Sequence, residues 1–320
     1  MKYFVPLLIS VFVFFSCEKV VNIPSINTES IPVVNCLFSP DTIWQVSVSA
    51  SIPTTEELIF LPASNAMVNL YENDELRGTL TEFVPPTDTL ALGHYTFPAD
   101  MHIAPQVGNM YQLRVVTPEG EATATDKVPA KTNLISTEFP YIEIEELNNP
   151  TSLPGYQIQA TLKIELEDPP NENNYYAIRL YYETDYYSPL PINPPNVELE
   201  FTDSIFIKSL HYSTDDNSAV PTYRDRHGYM FSDELFDGTR KTILLDIENR
   251  INLLNTTPKE IYVEIRAISE AYYLHQKTYY EQIYASNDPF STPTNVYENI
   301  NGGLGIFAAY NSVTDTISIE

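Results

Sequence analysis

Three observations on the sequence predict a mostly β protein with one helix near its C-terminus. Short stretches of alternating apolar and polar residues recur along the 320 residues, and turn-forming residues separate them. The 23 Tyr and 15 Phe favour strands, whereas 25 Pro disfavour long helices and central strands. One segment, at about residues 270–285, has the start and stop signals of a helix. No internal repeat indicates a solenoid or a propeller.

Residues 1–16 have the layout of a secretory signal peptide. A lysine at the second position precedes an apolar run over residues 3–15, and the small residue Ser16 directly precedes Cys17. The run is shorter than the roughly 20 residues that span a bilayer. A small residue before a cysteine is typical of a bacterial lipobox, in which the thiol receives a diacylglycerol. We therefore predict a fatty-acyl (palmitate-type) lipid on Cys17, followed by a tether over residues 17–30.

Residues 31–133 are predicted to form an immunoglobulin- or fibronectin-like β-sandwich. Several short candidate strands lie in this range with turn signals between them, and Asn73-Asp74-Glu75 is a candidate hairpin turn. Cys36 lies in an apolar run and is expected to be a small buried side chain, without a disulfide partner once Cys17 carries lipid. One candidate strand places three apolar side chains on the same face: Trp44, Val46 and Val48.

Residues 134–320 are predicted to form a second antiparallel β domain that contains the helix. Residues 134–155 contain Pro and Asn and are expected to be a loose junction. Ser269 is the expected N-cap of the helix, and the Asn-Asp-Pro sequence at 287–289 is expected to end it. A second apolar face is expected over 261–267, opposite Tyr262, Glu264 and Arg266. The clearest alternation has one apolar face: Tyr156, Ile158, Ala160, Leu162, Ile164 and Leu166.

The charge of the chain restricts its partners. With 17 Lys and Arg against 43 Asp and Glu, the formal net charge is −26. Such a chain repels phosphate, so we expect no nucleic-acid binding. Adsorption to an anionic lipid surface is disfavoured for the same reason, so the lipid on Cys17 must provide the anchor.

A search for catalytic motifs predicts that the chain is not an enzyme. It contains no HExxH, CxxC, GxSxG or phosphate-loop pattern, and the acidic pairs fit a solvated surface. We therefore predict no catalytic residue, no cofactor and no metal site. Exposed tyrosines could stack on a sugar or anchor a protein, although a doublet in a strand places one ring on each face. The histidines, which form no ligand pattern, are His94, His102, His211, His227 and His275; the tyrosine doublets are at 175–176, 181–182, 186–187, 272–273 and 279–280.

Several segments, taken in order behind the lipobox, resemble a family of Bacteroidota outer-membrane lipoproteins known as domain of unknown function 4249. The N-terminal segments are 31–38, 46–49, 66–71, 93–95, 108–115 and Gly120. The more specific C-terminal ones are 231–238 (FSDELFDG), Tyr272-Tyr273, 288–291 and 299–307 (NINGGLGIF).

This resemblance implies an outer-membrane accessory lipoprotein, because genes of the family often neighbour those of TonB-dependent receptors. The expected partner is such a transporter, in nutrient uptake, and the expected location is the lipid-anchored cell surface, which Glu18-Lys19 after the cysteine also favours. The ligand, whether small molecule, peptide or glycan, stays open. Two alternatives remain: an adhesive or structural surface β-sandwich, and a hydrolase with an unrecognised site.

Overall fold

The computed structural model of the chain describes residues 29–52, 61–83, 93–147, 155–185, 205–209, 212–214, 223–225, 228–252, 260–287, 291–292 and 294–318. The predicted signal peptide, Cys17 and nearly all of the predicted tether lie outside these residues, as do His211 and His227. The lipid attachment at Cys17 therefore stays a prediction.

The described part is mostly β, with one helix near the C-terminus, which confirms the predicted fold class. The helix α1 spans Glu270–Asn287. The strands are β1 Pro32–Phe38, β2 Val46–Ala50, β3 Met67–Glu72, β4 Glu75–Glu82, β5 His94–Thr96, β6 Met110–Thr117, β7 Gly120–Lys127, β8 Asn133–Leu147, β9 Gly155–Glu167, β10 Tyr175–Asp185, β11 Ile205–Ser209, β12 Tyr212–Thr214, β13 Tyr223–Asp225, β14 Gly228–Ser232, β15 Arg240–Asn252, β16 Glu260–Ile268 and β17 Leu304–Ser318.

These strands form two sheets. The larger sheet has the order β13-β14-β10-β16-β17-β1-β2-β5-β4-β3-β6-β7, with β11 on β10, and the smaller has the order β12-β15-β9-β8. The strand β17 belongs to both halves of the molecule. Its residues 304–309 pair in parallel with β1, and its residues 310–318 pair antiparallel with β16.

The N-terminal core lies between β1–β7 and the first half of β17. Cys36 is 2% exposed there, as expected, and burial raises the pKa of its thiol. Asn73 and Asp74 have φ values of 50° and 69° and join β3 to β4, so the predicted hairpin is confirmed. The predicted apolar face is also confirmed, because its members are at most 2% exposed: Trp44, Val46 and Val48.

This core also takes side chains from the far end of the sequence, namely Ile300, Phe307 and Ala309. The predicted division of the chain at residues 133 and 134 stays a prediction, and the N-terminal core draws on both sides of it.

The C-terminal core lies between the smaller sheet and β10 with β16. The predicted alternation in β9 is confirmed over Ile158–Leu166, whose apolar side chains are at most 4% exposed. The helix begins where expected, because Ser269 Oγ accepts a hydrogen bond from the Tyr272 N–H at 3.3 Å. Its first turn packs through Ala271, Tyr272 and Tyr273 on one face of the larger sheet, against side chains of β10, β14 and β17.

One expectation for this half was wrong, and one strand carries buried charged side chains. The expected junction is the long strand β8, which pairs with β9. Its alternation is hidden because the pairing shifts at Leu134/Ser136 and again at Glu138/Tyr141, where Pro140 lies. In β16 the predicted apolar face is buried as expected, and on the opposite face Glu264 and Arg266 are also only 8% exposed.

Their burial is compensated locally. Arg266 Nε lies 2.7 Å from Glu264 Oε1, and the guanidinium lies 4.2 Å from the centre of the Tyr310 ring. Removing Glu264 would leave the buried Arg266 without its carboxylate partner, so we interpret this pair as structural.

Candidate functional site: an apolar groove in the N-terminal sandwich

An open groove of about 440 Å³ lies on the N-terminal sandwich. It is formed by three segments that are distant in sequence: residues 42–44 after β1, residues 81–83 at the end of β4, and residues 96–104 around and after β5, without Asp100. Its surface is mainly apolar. Three of its large apolar side chains are open to solvent: Ile43 at 69%, Phe83 at 52% and Met101 at 40%.

A tight turn after β1 shapes the first wall. The Thr42 N–H donates to Ser39 O at 3.2 Å, and the Ser39 N–H donates to Thr42 Oγ1 at 3.1 Å. Ile43 then points into solvent, whereas Trp44 is 2% exposed and stacks on Phe38 with 4.7 Å between ring centres. The first wall therefore rests directly on the aromatic core.

The opposite wall rests on a glycine of β4. A Cβ at Gly78 would lie 2.9 Å from Phe97 Cε1 and 3.1 Å from Met101 Sδ. The segment after β5 thus packs its apolar side chains directly onto the backbone of β4 at Gly78. Any larger residue there would push Phe97 and Met101 outward, because the space is already filled.

The ionisable side chains that line the groove are Glu82 and His102. The Glu82 carboxylate accepts hydrogen bonds from the backbone N–H groups of Asn65 at 3.2 Å and Gly93 at 3.3 Å. It therefore fixes the loops that flank the groove. His102 is exposed. The lining contains no nucleophile paired with a base, so the arrangement suits binding of an apolar group rather than acid–base chemistry.

A cluster of three carboxylates lies between the β9–β10 and β14–β15 connections. The carboxylate oxygens of Asp168, Asp233 and Asp237 lie within 4.8 Å of one another. Asp168 is 2% exposed, and its two oxygens accept hydrogen bonds from the Tyr176 hydroxyl at 2.5 Å and the Gly238 N–H at 2.8 Å. Burial raises the pKa of the Asp168 carboxyl, and these two hydrogen bonds oppose that rise.

The other two carboxylates of this cluster also hold backbone. Asp233 Oδ2 accepts from the Asn174 N–H at 2.8 Å, and Asp237 Oδ1 accepts from the Asn171 N–H at 2.9 Å. Three carboxylates could contribute oxygen ligands to a hard cation such as Ca²⁺, which takes 6–8 of them. Each carboxylate already accepts a hydrogen bond from a backbone N–H of the other connection, so we interpret the cluster as a structural link between the two connections. The predicted absence of a metal site stays a prediction.

The candidate residues from the sequence are dispersed. Tyr175 and Tyr176 split as expected, because Tyr176 lies in the C-terminal core and Tyr175 stacks on Tyr273 at 4.7 Å between ring centres. Of the described histidines, His102 lines the groove. His275 lies on α1, and its Nδ1 is 2.7 Å from the backbone oxygen of Tyr297. The doublet at 186–187 lies outside the described residues.

The sequence alone did not predict the groove. Its three segments meet through the sheet topology, which no local pattern reveals. A weak signal existed in Ile43, an apolar residue adjacent to Trp44, because two consecutive apolar residues cannot share one face of a strand.

A family model described as "Domain of unknown function (DUF4249)" matches residues 18–316. No curated protein matches the chain. Among the described residues, no helix has both the length and the apolar character needed to cross a membrane.

Three solved structures show weak likeness. The full-length RrgB pilus protein of Streptococcus pneumoniae has 11% identity and a TM-score of 0.20 over 76% of this chain and 48% of that one, so the chain spans about half its length. A carbohydrate-binding module of the β-sandwich superfamily has 13% identity and a TM-score of 0.19, over 74% and 97%. The collagen-binding domain of the Erysipelothrix rhusiopathiae surface protein RspB has 10% identity and a TM-score of 0.18, over 88% and 96%. At these scores they identify no ligand.

Proposed function

Because the chain belongs to the DUF4249 family, we propose that it is a lipid-anchored, non-enzymatic binding protein that partners a TonB-dependent transporter at the outer membrane. The sequence Ser16-Cys17 behind an apolar run supports the anchor. The resemblance to outer-membrane lipoproteins supports the location and the class of partner.

The observation that carries the binding role is the apolar groove. Ile43, Phe83 and Met101 expose large apolar side chains in the same groove, and exposed apolar surface gathered in a groove is typical of interaction sites. Covering one such side chain is worth about 1–2 kcal/mol, which corresponds to roughly 5- to 30-fold in affinity. The groove is therefore the surface that we assign to the partner.

The experiment is a pull-down from native membranes through a C-terminal tag, with mass spectrometry of the co-purifying proteins. Wild type should recover a TonB-dependent transporter at near-stoichiometric yield. The double variant Ile43→Ser and Phe83→Ser should recover at least roughly tenfold less. Leu76→Ser is the matched control, because Leu76 is 58% exposed outside the groove and should leave recovery unchanged.

Equal recovery by the groove variant and wild type would remove the groove from the proposal. Absence of any transporter, with the protein still in the lipid fraction, would contradict the transporter partnership and favour the adhesive alternative.

A further inference from the structure

The C-terminal segment 299–309 closes the N-terminal sandwich. Residues 304–309 of β17 pair in parallel with β1 from Val33↔Leu304 to Phe38↔Ala309. Just before them, the Asn301 N–H donates to Thr123 O at 2.7 Å, and the Thr123 N–H donates to Asn301 O at 2.9 Å. The segment therefore links β1 to β7, the strand at one end of the larger sheet's order.

The fit is close because glycines bring the backbones together. A Cβ would lie 2.4 Å from Glu121 O at Gly302, 2.6 Å from Pro32 O at Gly303, and 2.2 Å from Val34 O at Gly305. Side chains would keep the strands apart at all three positions. The glycines of the 299–307 motif thus serve closure of the sandwich.

An asparagine and a phenylalanine fix the segment in the core. The Asn299 side-chain amide donates to Phe307 O at 2.7 Å and accepts from the Phe307 N–H at 3.0 Å. Phe307 is 0% exposed and stacks on Phe38 with 4.6 Å between ring centres. Without this segment, the core beside Trp44 lacks one of its large aromatic rings.

The same segment is tied to the start of α1. Asp126 Oδ2, at the end of β7, accepts a hydrogen bond from the Ala309 N–H at 2.7 Å, and the Ser269 N–H donates to Ala309 O at 3.0 Å. Docking of β17 on β1 therefore requires the C-terminal half to be arranged as well. The partners β1 and β17 lie at opposite ends of the sequence, and such distant pairing costs the most chain entropy.

We propose that the N-terminal sandwich is completed last, when residues 299–309 dock between β1 and β7. An emerging chain ordinarily folds its N-terminal domain first. Here the N-terminal sandwich requires residues 299–309, so it acquires its folded form only after that segment is present.

The test is refolding of the full chain carrying Cys17→Ser, which leaves Cys36 as the one thiol beside the one tryptophan, Trp44. Pulsed alkylation follows protection of Cys36, fluorescence follows Trp44, and pulsed hydrogen exchange follows the amides of β16 and β17. Protection of Cys36 and burial of Trp44 should share the time constant of protection at β17. Protection of Cys36 while the β17 amides still exchange would overturn the proposal.

A second variant separates docking from core formation. Asn299→Ala removes the side-chain hydrogen bonds to Phe307 and leaves the apolar core side chains in place. It should slow protection at Cys36 and at β17 by the same factor, roughly threefold or more. Slower protection of β17 with an unchanged rate at Cys36 would also overturn the proposal.

Discussion

Replacing Gly305 with alanine measures how much the N-terminal sandwich depends on its C-terminal strand. Gly305 has a φ of 107°, a conformation that costs other residues about 1–3 kcal/mol. In addition, the new Cβ would lie 2.2 Å from Val34 O, so β17 would have to move away from β1 by about 1 Å to reach ordinary contact.

The displacement also shifts Phe307 relative to Phe38, on which it stacks, since both belong to the same pair of strands. Complete loss of a buried phenylalanine from a core costs about 3–5 kcal/mol, so a partial shift of Phe307 adds part of that cost. We therefore expect Gly305→Ala to lower the free energy of unfolding of the N-terminal sandwich by about 4 kcal/mol or more, against a usual total of about 5–15 kcal/mol.

The assay is urea denaturation followed by the fluorescence of Trp44, which reports on this core. Gly108→Ala is the matched control, because Gly108 has a φ of 81° but a Cβ there would meet no atom within 4 Å. The control should cost about 1–3 kcal/mol for its backbone conformation alone. Equal losses in the two variants would refute the reasoning about close approach.

Three further outcomes are expected. Ser269→Ala should lower stability by about 0.5–2 kcal/mol in thermal denaturation, because α1 loses its cap, and an unchanged midpoint would contradict that role. Burial raises the pKa of Asp126 above its ordinary value of 3.8, so the folded chain keeps this proton where the unfolded chain releases it. Relative to Asp126→Asn, wild type should therefore lose stability as the pH rises from 3.8 through the raised pKa; urea titrations that gave a relative gain would contradict this. In the Cys17→Ser chain, Cys36 should be alkylated at least roughly 1,000-fold more slowly in buffer than in urea, and rates within tenfold would show that its strand is open.

Much of the fold follows from local patterns in the sequence. The alternation in β9 predicts its buried face, because a strand between one core and water needs a period of two. Ser269 predicts the start of α1, because its hydroxyl can accept a hydrogen bond that the helix itself cannot satisfy. The hairpin at Asn73 and Asp74 follows from residues that tolerate a left-handed backbone.

Other features could not be derived because their causes are not local. The strand β8 carries Pro140 and two shifts in pairing, which break the alternation that a strand would otherwise show. The burial of Glu264 and Arg266 depends on their mutual ion pair and on Tyr310, which comes from β17. The partnership of β1 with β17 joins the two ends of the chain, and no window of sequence contains both.

The groove could not be predicted from local sequence patterns either. Ile43, Phe83 and Met101 lie in three separate connections, and only the pairing of β2, β5 and β4 brings these connections together. The predicted lipid anchor is the opposite case, because the sequence signal for it is contiguous in the first 17 residues.

The most direct test of the central claim is photo-crosslinking in intact cells from a photoreactive phenylalanine analogue at position 43. If the groove receives the transporter, position 43, which is 69% exposed, should give a specific crosslink to a TonB-dependent outer-membrane protein, and position 76, which is 58% exposed but outside the groove, should not. Crosslinks of equal yield from both positions, or none to any outer-membrane transporter from position 43, would contradict the account.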